Sequence, residues 1–204
     1  MKSFFLSLAL LSPVSAQAAS FVDVADELSE SYKFEQRHNY KDAVAVIAKA
    51  QKRQPDSYIL NLRLGYLFLS SGITANALEH YTKATEAEPK SVEALLGLMN
   101  VYAAKARWSD VATVSEKILA ISPDQYAASW NLIRADIMLG KFDDGLETAK
   151  KMLKLYPSDQ TFLVQKAVCL GYLKKNTEAK SAYHNVLAVY PNDPTAKAAL
   201  ESLK

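Results

Sequence analysis

Few residues in this sequence have types that could carry covalent chemistry. They are three histidines, His38, His80 and His184, and a single cysteine, Cys169. An imidazole could act as a general base or metal ligand, and a thiolate as a nucleophile. The spacing supports neither. The sequence has no His-Glu-x-x-His, no glycine-rich phosphate loop, no paired-cysteine metal motif, no Ser-x-x-Lys and no Gly-x-Ser-x-Gly. Cys169 stands between Val168 and Leu170, the setting of a buried, inert thiol, with an intermolecular disulfide as the alternative. Acidic and basic residues are plentiful, but on helical surfaces such pairs form a solvated face rather than a catalytic dyad. No catalytic residue, cofactor or metal is expected, and the chain does not read as an enzyme.

What remains is apolar and aromatic, and it needs a scaffold to present it. Half of the 204 residues are apolar, with six glycines and seven prolines. This suits a folded helical protein and excludes both a disordered chain and a membrane bundle. The formal net charge of +2 argues against a nucleic-acid partner, which would call for a strongly basic face.

Residues 1–18 read as a cleaved signal peptide. Lys2 is the charged start, Phe4 to Leu11 is a short apolar run, Pro13 breaks it, and Ala16-Gln17-Ala18 is a small-x-small site with cleavage expected after Ala18. The run is far shorter than the roughly 20 residues of a membrane-spanning helix, so no transmembrane segment is expected in the mature chain. The leader points to a periplasmic or secreted protein. With a single cysteine, that protein must fold without an intramolecular disulfide.

The strongest signal is a period. Five prolines stand at 55, 89, 123, 157 and 191, always 34 residues apart, the length of a helix-turn-helix repeat. With each proline at position 32, the repeats run 24–57, 58–91, 92–125, 126–159 and 160–193, inside a domain of residues 19–204. Each repeat holds two helical stretches, such as Tyr58 to Ser71 and Ala75 to Ala87. In the first of these, Ile59, Leu62, Tyr66 and Leu69 line one face, and Leu60, Leu64, Leu67 and Phe68 another. A helix with two apolar faces packs between neighbours. Helix caps are expected at Asp56 or Ser57, Ser91, Asp124, Ser158 or Asp159, and Asp193. Gly72 and Gly140 suit left-handed turns between paired helices. Residues 194–204 predict a short capping helix, with Ala196, Ala199, Leu200 and Leu203 on its inner side.

These repeats resemble the tetratricopeptide-repeat family, whose pattern has a small residue at position 8, an aromatic near 11, alanine near 20, an aromatic near 24, a small residue at 27 and proline at 32. Repeat two matches throughout with Gly65, Phe68, Ala77, Tyr81, Ala84 and Pro89. Repeat five has Ala167, Leu170, Ala179, Tyr183, Val186 and Pro191, and repeat one has Ser31, Phe34, Ala43, Ile47, Ala50 and Pro55. Repeats three and four depart from the pattern. They carry Met99 and Ile133 at position 8, Ile118 and Met152 at position 27, and Asp136 at position 11 of repeat four. Their helix pairs are expected to spread wider. Asp136 reads either as rotated away while Ile137 or Met138 fills the hole, or as a buried polar anchor for a partner. The resemblance implies an all-α, right-handed solenoid of five repeats plus the capping helix.

It also implies a concave face lined by the first helix of each pair. The positions concerned are Leu28 and Tyr32; Ile59, Leu62, Tyr66 and Leu69; Glu93, Leu96, Asn100 and Ala103; Trp130, Arg134, Ile137 and Met138; and Val164, Val168 and Tyr172. Trp130, Tyr66 and Tyr172 are the expected anchors, with Arg134 and Asn100 setting polarity. The family's carboxylate clamp is not matched: Asn100 and Asn131 are present, but its three cations are replaced by Leu96, Thr161 and Gln165. The expected partner is a protein or peptide segment with an apolar or amphipathic surface, and the expected role is assembly or maintenance of a bacterial envelope or secretion structure. A self-associating scaffold (a homo-oligomer) and a non-catalytic subunit of an exported enzyme complex are the alternatives.

Overall fold

The computed structural model describes residues 24–203; the expected signal peptide and Lys204 lie outside the described residues. Among these residues there are eleven α-helices and no strand. The chain divides into two compact units, one ending at Ala87 and the other beginning at Glu88.

The first unit holds α1 (Ala25–Glu35), α2 (Tyr40–Arg53), α3 (Tyr58–Ser70) and α4 (Thr74–Ala87). Each helix packs on the next. Val24, Leu28, Ala43, Ile47, Ala50, Leu60, Leu64 and Leu67 form a closed core. Alanines at the crossings let the helices approach, and each leucine removed from water contributes roughly 2 kcal/mol.

The second unit holds α5 (Val92–Ala104), α6 (Trp108–Ile121), α7 (Tyr126–Met138), α8 (Phe142–Leu155), α9 (Gln160–Tyr172), α10 (Asn176–Val189) and α11 (Pro194–Ser202). Again each helix packs on the next, and the first helices of successive repeats also touch, α5 on α7 and α7 on α9. Helix α11 starts at Pro194 and is capped by Asp193, whose carboxylate accepts from the Ala196 amide at 2.8 Å. Ala196 is buried, and Ala199, Leu200 and Leu203 pack on the core while Lys197 and Glu201 face out. The end of the array is thereby closed.

Helix starts follow the 34-residue frame. Tyr58, Val92, Tyr126 and Gln160 open first helices at position 1 of their repeats. Ser91 and Asp159 cap as expected, each accepting from an amide three residues on at 3.1 Å. Repeat four differs: Gln125 Oε1 takes the Ala128 amide at 2.8 Å, so the cap is Gln125 and not Asp124. Ser57 stands at the start of α3, but its hydroxyl makes no cap bond. The turn between paired helices always places position 15 in the left-handed region. Gly72 and Gly140 have φ +79° and +75°, and His38, Ala106 and Lys174 adopt 56°, 52° and 57°. His38 is therefore a turn residue. His80 stacks on Phe68 at 5.4 Å, with Nδ1 2.9 Å from Asn61 Oδ1.

The departures in repeats three and four are absorbed by exchange of size. Position 24, aromatic in repeats two and five, is Ser115 and Ala149 here. Met99 at position 8 lies over Ser115, with Sδ 3.2 Å from the hydroxyl. Ile133 and Ala149 are both fully buried in one core cluster. Large and small have changed places across the helix pair at positions 8 and 24, while Ile118 and Met152 at position 27 stay large and fully buried. Asp136 does not rotate out either. It is 4% exposed and points at α8, where Gly145 lies 3.5 Å (from the place of its absent Cβ) from the Asp136 Cβ and 3.3 Å from Cys169 Sγ. The room for the carboxylate comes from a glycine where repeats one, two and five have alanine. Burial first, and the Asp144 carboxylate second, push its pKa up to about 6.

Candidate protein-binding surface

In the first unit the surface of α1 and α3 is organised by Arg63. Its Nε donates to Ser31 Oγ at 3.0 Å, and Nη1 lies 2.5 Å from Glu35 Oε2. The guanidinium sits 3.9 Å from the Tyr32 ring centroid and 5.5 Å from that of Tyr66. Tyr66 Oη donates to Glu35 Oε1 at 2.7 Å. Burial of Glu35 works against its ionisation, but the Tyr66 hydroxyl and Arg63 outweigh it and hold the carboxyl below its usual range. The bond to Glu35 in turn raises the Tyr66 phenol. Arg63 itself is only 6% exposed, whereas Tyr32 and Tyr66 are 52% and 42% exposed. Two rings are thus held rigidly over a neutralised cation with their outer faces in solvent.

In the second unit the corresponding surface is built around Arg134 on α7. Its guanidinium lies 4.7 Å from the Trp130 ring and 5.3 Å from the Trp108 ring. Trp130 is one turn earlier on the same helix, and Trp108 begins α6. On α9, Tyr172 stacks on Phe142 of α8 at 4.7 Å with the planes 5° apart. Met138 and Tyr172 are 60% and 57% exposed.

The ten residues expected to line the surface are placed unequally. Tyr32, Tyr66, Asn100 and Tyr172 are exposed, and Leu69, Leu96, Trp130, Arg134 and Ile137 are half-buried. Leu62 is not a surface residue. At 7% exposure it is packed away, and Leu28 at 5% joins the first unit's core. Neighbouring helices close over both, which a 3.6-residue pattern on a helix apolar all round does not reveal. Three residues that position the surface escaped the sequence: Arg63, Trp108 and Phe142. Arg63 carried one usable signal, as the only charged residue in the apolar stretch Tyr58 to Ser70. Trp108 and Phe142 share position 17 of repeats three and four, and nothing in that register marks them as partners of a first helix.

Ion pairs among the described residues join near neighbours in sequence, such as Lys83 and Glu79, or bring α2 and α3 to α1 through Arg53–Glu27 and Arg63–Glu35, each at 2.5 Å. Among the described residues no group of three or more His, Cys, Asp or Glu side chains could hold a metal ion. None of their helices is long and apolar enough to cross a membrane.

Two tetratricopeptide-repeat family models match the sequence, one over residues 31–92 and the other over 162–193. The chain belongs to the tetratricopeptide-repeat family. Solved structures of this family share its fold. A tetratricopeptide-repeat protein from Parabacteroides merdae ATCC 43184 superposes with a TM-score of 0.80 at 17% identity, covering 91% of this chain and 72% of that one. MamA residues 41 to the end from Desulfovibrio magneticus RS-1 give 0.76 at 14% identity, over 84% and 97%. YrrB, described as a TPR protein with an unusual peptide-binding site, gives 0.67 at 22% identity, over 77% and 81%. At these identities the likeness establishes the all-α repeat fold. No curated protein sequence matches the chain. In this chain the pair at positions 8 and 24 occurs in both size orders, Gly65 against Tyr81 and Met99 against Ser115.

Proposed function

We propose that this tetratricopeptide-repeat protein is a non-catalytic scaffold that binds a segment of another protein on the first-helix faces of its repeats. It works outside the cytoplasm, in assembly or maintenance of a bacterial envelope or secretion structure. One observation carries the binding reading. Tyr32, Tyr66 and Tyr172 keep two-fifths or more of their surface in solvent although each is locked against a partner, Arg63 or Phe142. Rigid, exposed aromatics lose little entropy on binding, which makes them strong anchors. The peptide site described for YrrB agrees with this reading. The address outside the cytoplasm rests on the leader at residues 1–18.

Crosslinking in intact cells tests the function. The native chain is compared with Tyr66→Ala and Trp130→Ala, each checked for helicity. A defined partner captured by the native chain and lost by either variant places binding on that unit's first helices. Equal capture by all three rejects these faces. Cell fractionation with N-terminal sequencing tests the address, the expected mature start being Ala19.

Self-association is a second reading with its own observation. Ile121, Leu155 and Val189 are exposed and occupy the same position, 30, in three consecutive repeats of the second unit. An apolar ridge of this kind favours contact with another copy. Sedimentation of the native chain against Leu155→Asp decides it: a concentration-dependent dimer that the variant abolishes supports the ridge, and a monomer throughout rejects it.

A further inference from the structure

Two arginines of this chain lie over tyrosine rings and are neutralised. Arg63 pairs with Glu35 at 2.5 Å, and Arg107, 4.7 Å from the Tyr102 ring, pairs with Asp110 at 2.8 Å. Arg134 likewise lies near two rings, 4.7 Å from that of Trp130 and 5.3 Å from that of Trp108, yet it makes no ion pair among the described residues. Its single hydrogen bond among the described residues runs from Nη1 to Asn131 Oδ1 at 3.4 Å. A guanidinium carries five N–H donors in one plane. A guanidinium that packs on aromatic rings still has its edge to offer, the part that grips a carboxylate with two parallel bonds. The half-buried side chain is thus preorganised, with most of its donors unspent.

The surroundings specify the ligand further. The first helices of this unit carry one exposed carboxylate, Glu93 in the first turn of α5, against the two cations Arg134 and Lys166; their other carboxylate, Asp136, is buried toward α8. The face is therefore short of negative charge. Along α7, Trp130 lies one turn before Arg134 and exposed Met138 one turn after. Apolar surface on both sides of a single cation suits a carboxylate in the middle of a chain rather than at its end.

We propose that Arg134, set beside Trp108 and Trp130, is the binding point for an aspartate or glutamate side chain within a partner's peptide segment, with apolar residues of that segment on Trp130 and Met138. This rests on the peptide-binding reading above and names the chemistry of its ligand.

The test uses the full chain and a library of random nine-residue peptides displayed between folded flanks, so that none has a free end. Trp108 and Trp130 are the only tryptophans in the protein, so their emission reports on this site alone. The expected result is enrichment of peptides with Asp or Glu beside a large apolar residue. An end-blocked synthetic copy should shift tryptophan emission on titration and lose about 10- to 100-fold in affinity on Glu→Gln exchange in the peptide, or in Arg134→Gln protein, as expected for a charge-assisted pair. If Arg134→Gln fails to fold, the peptide exchange on the native chain decides alone. Enriched peptides that shift the emission but bind equally after either exchange overturn the carboxylate proposal and leave peptide binding standing. Peptides that bind only with a free C-terminus overturn the side-chain assignment. Absence of any peptide that alters the emission overturns both the proposal and peptide binding on this face.

Discussion

The backbone of Gly65 lies against the ring of Tyr81: a Cβ added there would be 2.8 Å from Cγ and 2.9 Å from both Cδ atoms. Tyr81 is 4% exposed and cannot step aside. This contact sets how closely α3 and α4 approach. Gly65→Ala should destabilise the protein by about 1–3 kcal/mol through overpacking, despite the better helix propensity of alanine. Urea denaturation followed by circular dichroism reads the change, and an equal or higher midpoint would show that the helices separate freely.

Position 15 makes an opposite prediction. Ala106 holds φ +52°, a conformation that costs a residue with a Cβ roughly 1 kcal/mol. Ala106→Gly should therefore stabilise by up to about 1 kcal/mol, and Gly72→Ala should destabilise by a similar amount although nothing lies within 4 Å of the added methyl. Paired thermal melts of the two variants provide the comparison.

Asp136 should give the protein a pH dependence that one substitution removes. Its pKa is raised from 3.8 to about 6, by burial and then by Asp144, against a smaller opposing pull from Lys141; Glu116 adds to the rise. The folded chain thus keeps a proton that the unfolded chain has released. The stability contribution of this group is full below about pH 4 and is lost as pH rises to about 6, at most about 3 kcal/mol in all. Asp136→Asn should be more stable than the native chain at pH 7, and their difference should shrink on going to pH 4. Denaturation at several pH values checks both, and a constant difference would mean that Asp136 is solvated in the folded protein.

Cys169 should be inert while the chain is folded. It is fully buried, and burial followed by the nearby Asp136 carboxylate pushes its thiol up to about 11. Iodoacetamide at pH 8 should leave it unmodified in the native state and label it after denaturant is added. Rapid labelling of the native chain would show that α9 opens locally.

Much of this fold was legible in the sequence because its elements are local. A helix pair and its turn lie within 34 residues, so the prolines recur at one spacing and set the register of every repeat, with Ser91, Asp159, Gly72 and Gly140 as further marks. The misplacements also have local causes. Gln125 took the cap from Asp124 because the chain enters α7 one residue later than the acidic residue suggested. Leu62 was assigned to the surface because α3 is apolar all round, and a pattern of that kind does not say which side neighbours will cover.

The sequence alone determined the period, the helix boundaries and the residue types available to a partner, since each depends on backbone preferences within one repeat. Tertiary structure decided which of those residues stand together. Arg63 meets Tyr32 and Glu35 from a different helix, Arg134 meets Trp108 of the preceding repeat, and Asp136 finds its space in the missing side chain of Gly145. Each of these depends on the rotation of one helix about its axis relative to the next. That rotation is set by the packing of large residues against small ones across the helix pair, and no single stretch of sequence contains it.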